Sequence, residues 1–197
     1  LIDVSGSMKL CEDTLNTSIK NFMSDLLHGK NGFKEYSKEQ IELAIVQFDS
    51  EVKVLRMPSL VKRGDRLPIL QVRGLNTNTV GAVRKAMSLI ENRKIEHKMK
   101  GLSYYRPWII LLTDGNPNPC SQADLQSLLY DVSHSISANK FMLTAIGIGN
   151  SVDKEFLSAI SNNNYHRIGQ ANISTFFQAL SASMTMKYGN GPQDNLS

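Results

Sequence analysis

The chain has 197 residues, of which 41% are hydrophobic and 20% charged, a length and composition typical of one globular domain. No apolar run reaches the roughly 18 residues that a membrane-spanning helix needs, and two cysteines are too few for a disulfide framework or a four-cysteine zinc site. The net charge is +4, but residues 51–106 hold 13 Lys and Arg against 4 Asp and Glu. This middle segment predicts either attraction of acidic partners or a set of solvated loops and helix faces.

The chain opens with Leu1 and Ile2, which lead directly into Asp3-Val4-Ser5-Gly6-Ser7. Two apolar residues make a short strand, so we expect a first strand that is cut short and a natural protein that continues upstream. No basic or apolar leader of a signal peptide is visible. We therefore expect a cytoplasmic location, and the truncated start leaves an extracellular one open.

Helical and extended patterns alternate along the rest of the chain. Helical spacing of apolar residues predicts helices over 8–28, 80–98, 123–138, 152–160 and 173–186. Apolar runs predict strands over 41–48, 52–55, 108–112, 141–148 and 165–168, with 52–55 at an edge of the sheet. Residues 56–76, which contain Pro58 and Gly74, are predicted to be a connection, and 187–197 a loose polar tail.

This alternation predicts an α/β fold, with a doubly wound, mostly parallel sheet of six strands and helices on both faces. The domain is expected to cover residues 1–186. In such sheets a ligand binds beyond the carboxyl ends of the strands.

Hydroxyl and carboxylate side chains stand in three predicted loops after strands. Asp3, Ser5 and Ser7 follow the first strand, Thr77 and Thr79 precede the helix at 80, and Asp114 closes the strand 108–112. Oxygen ligands without a soft donor suit Mg²⁺, Mn²⁺ or Ca²⁺ rather than zinc or copper. The alternative is that the hydroxyls only cap helices.

At these residues the chain resembles the von Willebrand factor A family, whose metal-ion-dependent adhesion site combines D-x-S-x-S, a later Thr and a strand-end Asp. Asp3, Ser5 and Ser7 match the first element, and Leu111-Leu112-Thr113-Asp114-Gly115 matches the last. Leu75-Asn76-Thr77-Asn78-Thr79 is similar to the T-N-T stretch of the family, although many members have Gly-Gly where this chain has Leu75-Asn76. The resemblance assigns Thr77 as the ligand and leaves Thr79 in reserve.

The resemblance implies a protein-binding module without catalysis of its own. Ser5, Ser7 and Thr77 would bind Mg²⁺, or Mn²⁺ or Ca²⁺, through hydroxyls, with Asp3 and Asp114 acting directly or through water. An Asp or Glu of a partner protein would fill the last position. Residues 48–55 and 176–184 are similar to the bacterial tellurium-resistance (TerY-type) branch, which implies a stress-resistance role.

Other functions are open to test. An extracellular adhesion domain of the same fold would be favoured by a bond between Cys11 and Cys120. A Mg²⁺-dependent phosphatase of the haloacid-dehalogenase type would need a second acid two residues after Asp3, where this chain has Ser5. Tyr104, Tyr105 and Arg106 could stack on nucleic acid, but no nucleic-acid-binding motif accompanies them.

Overall fold

The computed structural model describes residues 1–74, 76–115, 117, 118 and 120–188, the last four of them by backbone alone. The strands are β1 (Ile2–Asp3), β2 (Glu42–Phe48), β3 (Val52–Leu60), β4 (Trp108–Thr113), β5 (Met142–Ile148) and β6 (Tyr165–Ile168). The helices are α1 (Glu12–His28), α2 (Ser37–Gln40), α3 (Thr79–Met99), α4 (Gln122–Ser137), α5 (Lys154–Ile160) and α6 (Ile173–Tyr188), with 3-10 turns at Gly6–Cys11 and Gln170–Asn172.

The predicted fold is confirmed. The six strands lie in the order β3-β2-β1-β4-β5-β6, and every pairing is parallel except that of β2 with β3. The winding direction changes between β1 and β4, because β1 is followed by a strand on one side of it and β4 by a strand on the other. This is the doubly wound arrangement, in which a ligand crevice forms where the direction changes.

Each face of the sheet carries its own hydrophobic core. One face packs against α1 and α6, and the other packs against α3, α4 and α5. Side chains alternate between the faces along a buried strand, so Leu111 of β4 joins one core and Leu112 the other. Burial on both faces explains why the central strands are continuous apolar runs rather than alternating ones.

The edge strand β3 is longer than predicted. It runs from Val52 to Leu60 and takes in Pro58, which the sequence placed in a connection. The pairing of β2 with β3 shifts register between the pairs Leu43–Ser59 and Ile45–Arg56, so Pro58 falls where the ladder is irregular. A proline is tolerated there because the ladder needs no N–H donor at an irregular edge position.

The first helix begins later than predicted, since a 3-10 turn over Gly6–Cys11 precedes α1. Gly29 ends α1 in the left-handed region at φ 63°, as expected for a helix-stopping glycine. The short helix α2 was not predicted, because four residues give no helical periodicity.

The last helix continues two residues beyond the predicted domain end at 186, to Tyr188. The rest of the predicted tail, residues 189–197, lies outside the described residues, as do Leu75, Asn116 and Pro119. Within the described ranges, no helix combines the length and the apolar character needed to cross a bilayer.

Candidate metal centre

The topology predicts a crevice beyond the carboxyl ends of β1 and β4, which are neighbours at the middle of the sheet. Asp3 is the last residue of β1, and Asp114 directly follows the last residue of β4. The chain leaves these two strands towards opposite sides of the sheet, so the loops diverge and leave space between them. Two carboxylates that are 111 positions apart in the numbering thus reach the same place.

Asp3 is completely buried and held at both carboxylate oxygens. The backbone N–H of Ser5 donates to Oδ1 at 2.8 Å, and the Thr113 hydroxyl donates to Oδ2 at 2.5 Å. The first bond closes a tight turn of the kind that Asp favours, and it directs the chain out of β1 into the 3-10 turn. The carboxylate is therefore fixed in position by the fold.

The two serines link Asp3 to Asp114. The Ser5 and Ser7 hydroxyl oxygens are 3.2 Å apart, and the Ser7 hydroxyl donates to Asp114 Oδ1 at 2.8 Å. Ser5 is buried and Ser7 is exposed, so the polar groups extend from the interior to the surface. The structure thus brings Asp3, Ser5, Ser7 and Asp114 into one hydrogen-bonded cluster.

Both carboxylates sit in an environment that disfavours their charge. Burial raises the pKa of Asp3, and the charge of Asp114 adds to the rise, against the hydrogen bonds from Thr113 and Ser5. Burial also raises the pKa of Asp114, opposed by the hydrogen bond from Ser7. Within the described part of the chain, neither carboxylate forms an ion pair with a Lys, Arg or His. A cation placed between them would offset this cost.

The threonine loop reaches the crevice by an unexpected route. The sequence placed it at the carboxyl end of a strand on the same sheet edge, and this is wrong, because β3 is antiparallel and Leu60 pairs with Glu42 at the opposite edge. Residues 61–78 must therefore return along the molecule. Two hydrogen bonds between Asn16 and Leu70, at 2.8 and 3.2 Å, attach this loop to α1.

The returning loop meets the D-x-S-x-S segment at Gly74. The Gly6 N–H donates to the Gly74 carbonyl at 2.8 Å, and Gly74 forms an isolated parallel bridge with Ser5. A Cβ at Gly74 would lie 2.3 Å from the Asp49 Cβ, closer than side chains can approach. Only glycine fits between Asp49 and the D-x-S-x-S segment without a shift of the neighbouring atoms.

Thr77 is buried and lies against the loop that carries Asp114. Its backbone forms two hydrogen bonds with Asn118, of 2.7 and 3.0 Å. The Thr77 Oγ1 lies 3.6 Å from the point where a Cβ on Gly115 would stand. The Thr77 hydroxyl therefore borders the same crevice as the acidic cluster.

The alternative that the hydroxyls serve as helix caps finds no support. Ser5 precedes the 3-10 turn but makes no side-chain cap, and α3 is capped by Asn78, which accepts from the Gly81 N–H at 2.9 Å. Thr79 is completely buried in the first turn of α3, and its Oγ1 has no hydrogen-bond partner in the described structure. These hydroxyls therefore do not cap the 3-10 turn or α3.

Thr113 is the residue whose role the sequence did not reveal. Its hydroxyl donates to Asp3 and also accepts from the Gly115 N–H at 3.2 Å, so it joins the two acidic loops. A hydroxyl at the end of a fully apolar strand was the available signal, because a buried polar group needs a partner. Which partner it finds depends on the neighbouring strand.

Only part of the basic middle segment lies near the crevice. Arg73 is in the returning loop, where its backbone N–H donates to the Val4 carbonyl at 3.2 Å. Helix α3 leads away from the crevice, and Arg93 near its far end pairs with Glu42 at the opposite edge of the sheet. Arg73 and Arg93, which belong to the same basic segment, thus lie at opposite edges of the sheet.

The donor set consists of oxygen atoms alone. Two carboxylates and the hydroxyls of Ser5, Ser7 and Thr77 surround the crevice, while the described residues contain no cluster of three or more His, Cys, Asp or Glu side chains. Such a set fits a hard divalent cation, and the two uncompensated carboxylates would supply the charge to hold it.

The family model described as von Willebrand factor type A domain matches residues 1–182. A von Willebrand factor type A protein from Catenulispora acidiphila has 18% identity and a TM-score of 0.64, with 92% of this chain and 40% of that chain covered. The vWF domain of the type V pili tip protein Mfa5 from Porphyromonas gingivalis has 12% identity and a TM-score of 0.64. That match covers 99% of this chain and 96% of the other.

A third similar structure is proximal thread matrix protein 1 from the mussel byssus with a zinc-occupied MIDAS motif, at 17% identity and a TM-score of 0.56. That match covers 93% of this chain and 46% of the other. The chain spans less than half the length of the first structures it matches. No curated protein matches the chain in sequence. At these identities the structural likeness concerns the fold.

Proposed function

The chain belongs to the von Willebrand factor type A domain family, and from this we propose that it is a metal-dependent protein-binding module. Domains of this family are generally interaction modules rather than enzymes. We assign the crevice between β1 and β4 as the metal-ion-dependent adhesion site, with Mg²⁺ as the resident ion. The observation that carries the proposal is the convergence of two unpaired carboxylates and three hydroxyls from three separate segments.

Each residue has a distinct part in this site. Ser5, Ser7 and Thr77 would offer neutral hydroxyl oxygens to the ion, while Asp3 and Asp114 offer negative charge directly or through water. Thr77 is preferred to Thr79 because its Oγ1 lies beside Gly115, in the loop of Asp114. Thr113 is a positioning residue, since it donates to Asp3 and orients that carboxylate.

When bound, the ion would supply positive charge and an open coordination position that a partner's carboxylate can occupy. Where the two carboxylates act through water, the direct ligands are neutral hydroxyls, which leave much of the ion's charge uncompensated and favour an incoming Asp or Glu. Mn²⁺ and Ca²⁺ offer the same oxygen chemistry, and the zinc found in the mussel protein makes Zn²⁺ a necessary comparison.

The first experiment measures Mg²⁺ binding by calorimetry for the wild type, Asp3→Asn and Asp131→Asn. Asp131 lies on α4 and pairs with Arg84, so its variant controls for the loss of one charge. We expect Asp3→Asn to abolish binding and Asp131→Asn to retain it. Equal Mg²⁺ affinity in all three proteins would overturn the assignment.

The second experiment tests the open position with Mn²⁺ as a probe. Water proton relaxation reports water bound to Mn²⁺, and acetate should lower it by taking that place in the wild type. A protein partner should likewise bind when the metal is present, and this binding should be lost in EDTA. Loss of partner binding in EDTA without any Mg²⁺ binding by the chain would count against the proposal.

The cellular setting is part of the proposal. The stretches 48–55 and 176–184 support a bacterial tellurium- or stress-resistance system and a cytoplasmic location. The pilus domain of similar fold supports the extracellular alternative. Cys11 is buried and Cys120 exposed, and both are free thiols in the structure. A Cys11–Cys120 bond in protein isolated from its host would favour the extracellular setting.

The proposal also includes the absence of catalysis. Ser5 stands where a haloacid-dehalogenase-type phosphatase would need its second carboxylate, and it is bonded to Ser7. We therefore expect no Mg²⁺-dependent hydrolysis of p-nitrophenyl phosphate. Hydrolysis that Asp3→Asn abolishes would favour the enzyme.

A further inference from the structure

The five candidate metal ligands differ in how far they are exposed. Asp3, Ser5 and Thr77 are buried, Asp114 is half-buried, and Ser7 is exposed. Because the buried side chains close the crevice from within, a partner's carboxylate must approach an ion there from the side on which Ser7 lies. The residues that share this side with Ser7 are therefore the ones that a partner meets next.

The 3-10 turn over Gly6–Cys11 places one apolar side chain on this side. Exposure repeats every three residues along the turn, since Met8 and Cys11 are buried and the two residues before each of them are exposed. A 3-10 helix has three residues per turn, so side chains at positions i and i+3 lie on the same face. Leu10 is therefore on the face of Ser7, about 6 Å further along the turn, and it is 81% exposed.

The position of Leu10 is fixed by its neighbours in the chain. Met8 and Cys11, on either side of it, are buried in the hydrophobic core that α1 shares with the sheet. Directly after the turn, Glu12 Oε1 accepts from the Val72 N–H at 3.1 Å, which attaches this part of the chain to the returning loop. A contact residue that is held in place before binding loses less conformational entropy when a partner covers it.

The charged groups around Leu10 favour an uncharged contact at this point. The Lys9 ammonium pairs with the Glu12 carboxylate, so it already has a partner within the chain. Asp13, in the first turn of α1, is exposed and comes three residues after Leu10. A second carboxylate of a partner would be repelled by Asp13. Next to the acid that binds the metal, an aliphatic side chain therefore suits this surface best.

We propose that Leu10 is a specificity-determining residue of the metal site, and that it contacts an aliphatic side chain next to the partner's Asp or Glu. This inference rests on the proposed function, because the acid needs the ion. Removal of apolar surface from water on both sides of the contact favours such a segment over one with a polar residue there. Single exposed leucines are common on protein surfaces, and the place of Leu10 on the face of Ser7 is what assigns it this role.

The test uses two carboxylates that differ only in their alkyl part, acetate and 4-methylpentanoate. Mn²⁺ is the probe, since each carboxylate lowers water proton relaxation when it displaces water from the ion. The alkyl chain of 4-methylpentanoate extends roughly 5 Å beyond its carboxyl carbon, so it can reach Leu10. In the wild type we expect it to act at about fivefold lower concentration than acetate, because its chain and Leu10 cover each other.

Three variants show whether Leu10 causes this preference. Leu10→Ser should abolish it and leave the effective acetate concentration unchanged, which also shows that the metal site is intact. Leu10→Met should retain the preference. Ile95→Ser is the matched control, because Ile95 is 56% exposed near the far end of α3. In the Mg²⁺ form, the methyl groups of 4-methylpentanoate should give nuclear Overhauser effects to those of Leu10 and none to those of Ile95.

The outcomes separate this inference from the proposed function. A preference that is lost in Leu10→Ser and kept in Leu10→Met and Ile95→Ser supports it. Equal concentrations of the two carboxylates in the wild type, or a preference that survives in Leu10→Ser, would overturn the role of Leu10 and leave the metal site intact. Failure of the chain to bind Mn²⁺, or of both carboxylates to displace its water, would overturn both.

Discussion

The two edges of the central sheet formed by the ends of its strands differ in the charge and polarity of the groups they carry. At the edge formed by the carboxyl ends of β1 and β4, the buried Asp3 and the half-buried Asp114 form no ion pair with a Lys, Arg or His of the described residues. At the opposite edge Glu42 pairs with Arg93, and both residues line a mostly apolar cavity of about 760 Å³. The first edge carries charge suited to a metal ion, whereas the second is mostly apolar, so the two edges differ in the ligands that they suit.

The largest effect is expected at the metal edge. Asp114→Asn should weaken Mg²⁺ binding about 100-fold, or about 2.7 kcal/mol, because it removes one of two charges facing the ion. In EDTA the same variant should be about 1 kcal/mol more stable than the wild type, since a half-buried unpaired charge is gone. Calorimetry with Mg²⁺ and denaturant unfolding in EDTA check the two halves. Equal destabilisation in both conditions would mean that Asp114 is only structural.

Gly74→Ala tests how the returning loop supports that edge. A Cβ would collide with the Asp49 Cβ, so we expect about 2 kcal/mol of destabilisation and weaker Mg²⁺ binding as the bridge to Ser5 shifts. Gly115→Ala is the control, because its nearest new contact, Thr77 Oγ1 at 3.6 Å, is an ordinary one. Urea unfolding and Mg²⁺ titration of the two variants give the comparison. Similar results for both variants would show that the Asp49 side chain moves away from the new Cβ at little energetic cost.

Substitution of the two threonines should affect different properties, Mg²⁺ affinity for Thr77 and stability for Thr79. Thr77→Val should lower Mg²⁺ affinity about tenfold by removing one hydroxyl ligand. Thr79→Val should leave affinity unchanged and raise stability by about 1 kcal/mol, because a buried hydroxyl without a partner is replaced by a methyl group. Thermal unfolding with and without Mg²⁺ measures both. A loss of affinity only in Thr79→Val would exchange their assigned roles.

The smallest effect is expected at the opposite edge. The Arg93 guanidinium, and then His97, hold the pKa of Glu42 below its usual value against the effect of burial. A carboxylate with a lowered folded-state pKa stabilises above its unfolded pKa, near 4.3, and loses this as pH falls through the folded value. Glu42→Gln should therefore cost at most about 1 kcal/mol at pH 7, and the difference should be smaller at pH 3, which lies below the unfolded-state pKa of a Glu. Urea unfolding at both pH values checks it, and a constant difference would point to packing instead.

Much of the fold followed from the sequence because the central strands and helices have strong, unambiguous patterns. β6 was predicted residue for residue, and β4 and β5 to within one residue at one end. β3 was predicted to end at residue 55, five residues before its end at Leu60, because a local rule against proline in strands cannot register an irregular edge pairing around Pro58. The start of α1 was misplaced, since a 3-10 turn and an α-helix share similar apolar spacing.

The candidate site shows the same division. The D-x-S-x-S motif and Asp114 were identified by type and spacing, and the structure brings them together. The path of the threonine loop was missed, since the antiparallel direction of β3 depends on its partner strand. The bond from Thr113 to Asp3 was missed as well, because it joins residues on strands that meet only in the folded sheet.

The sequence by itself determined the chemistry of this protein: hard oxygen groups at three points along the chain, and apolar runs long enough for a two-sided sheet. Only the tertiary structure decided the arrangement, namely that Thr77 reaches the crevice by returning from the far edge, and that β1 and β4 pair as neighbours so that Asp3 and Asp114 meet. The reason is physical. Local patterns fix which groups are polar or buried, whereas strand order and direction arise from contacts between residues distant in the chain.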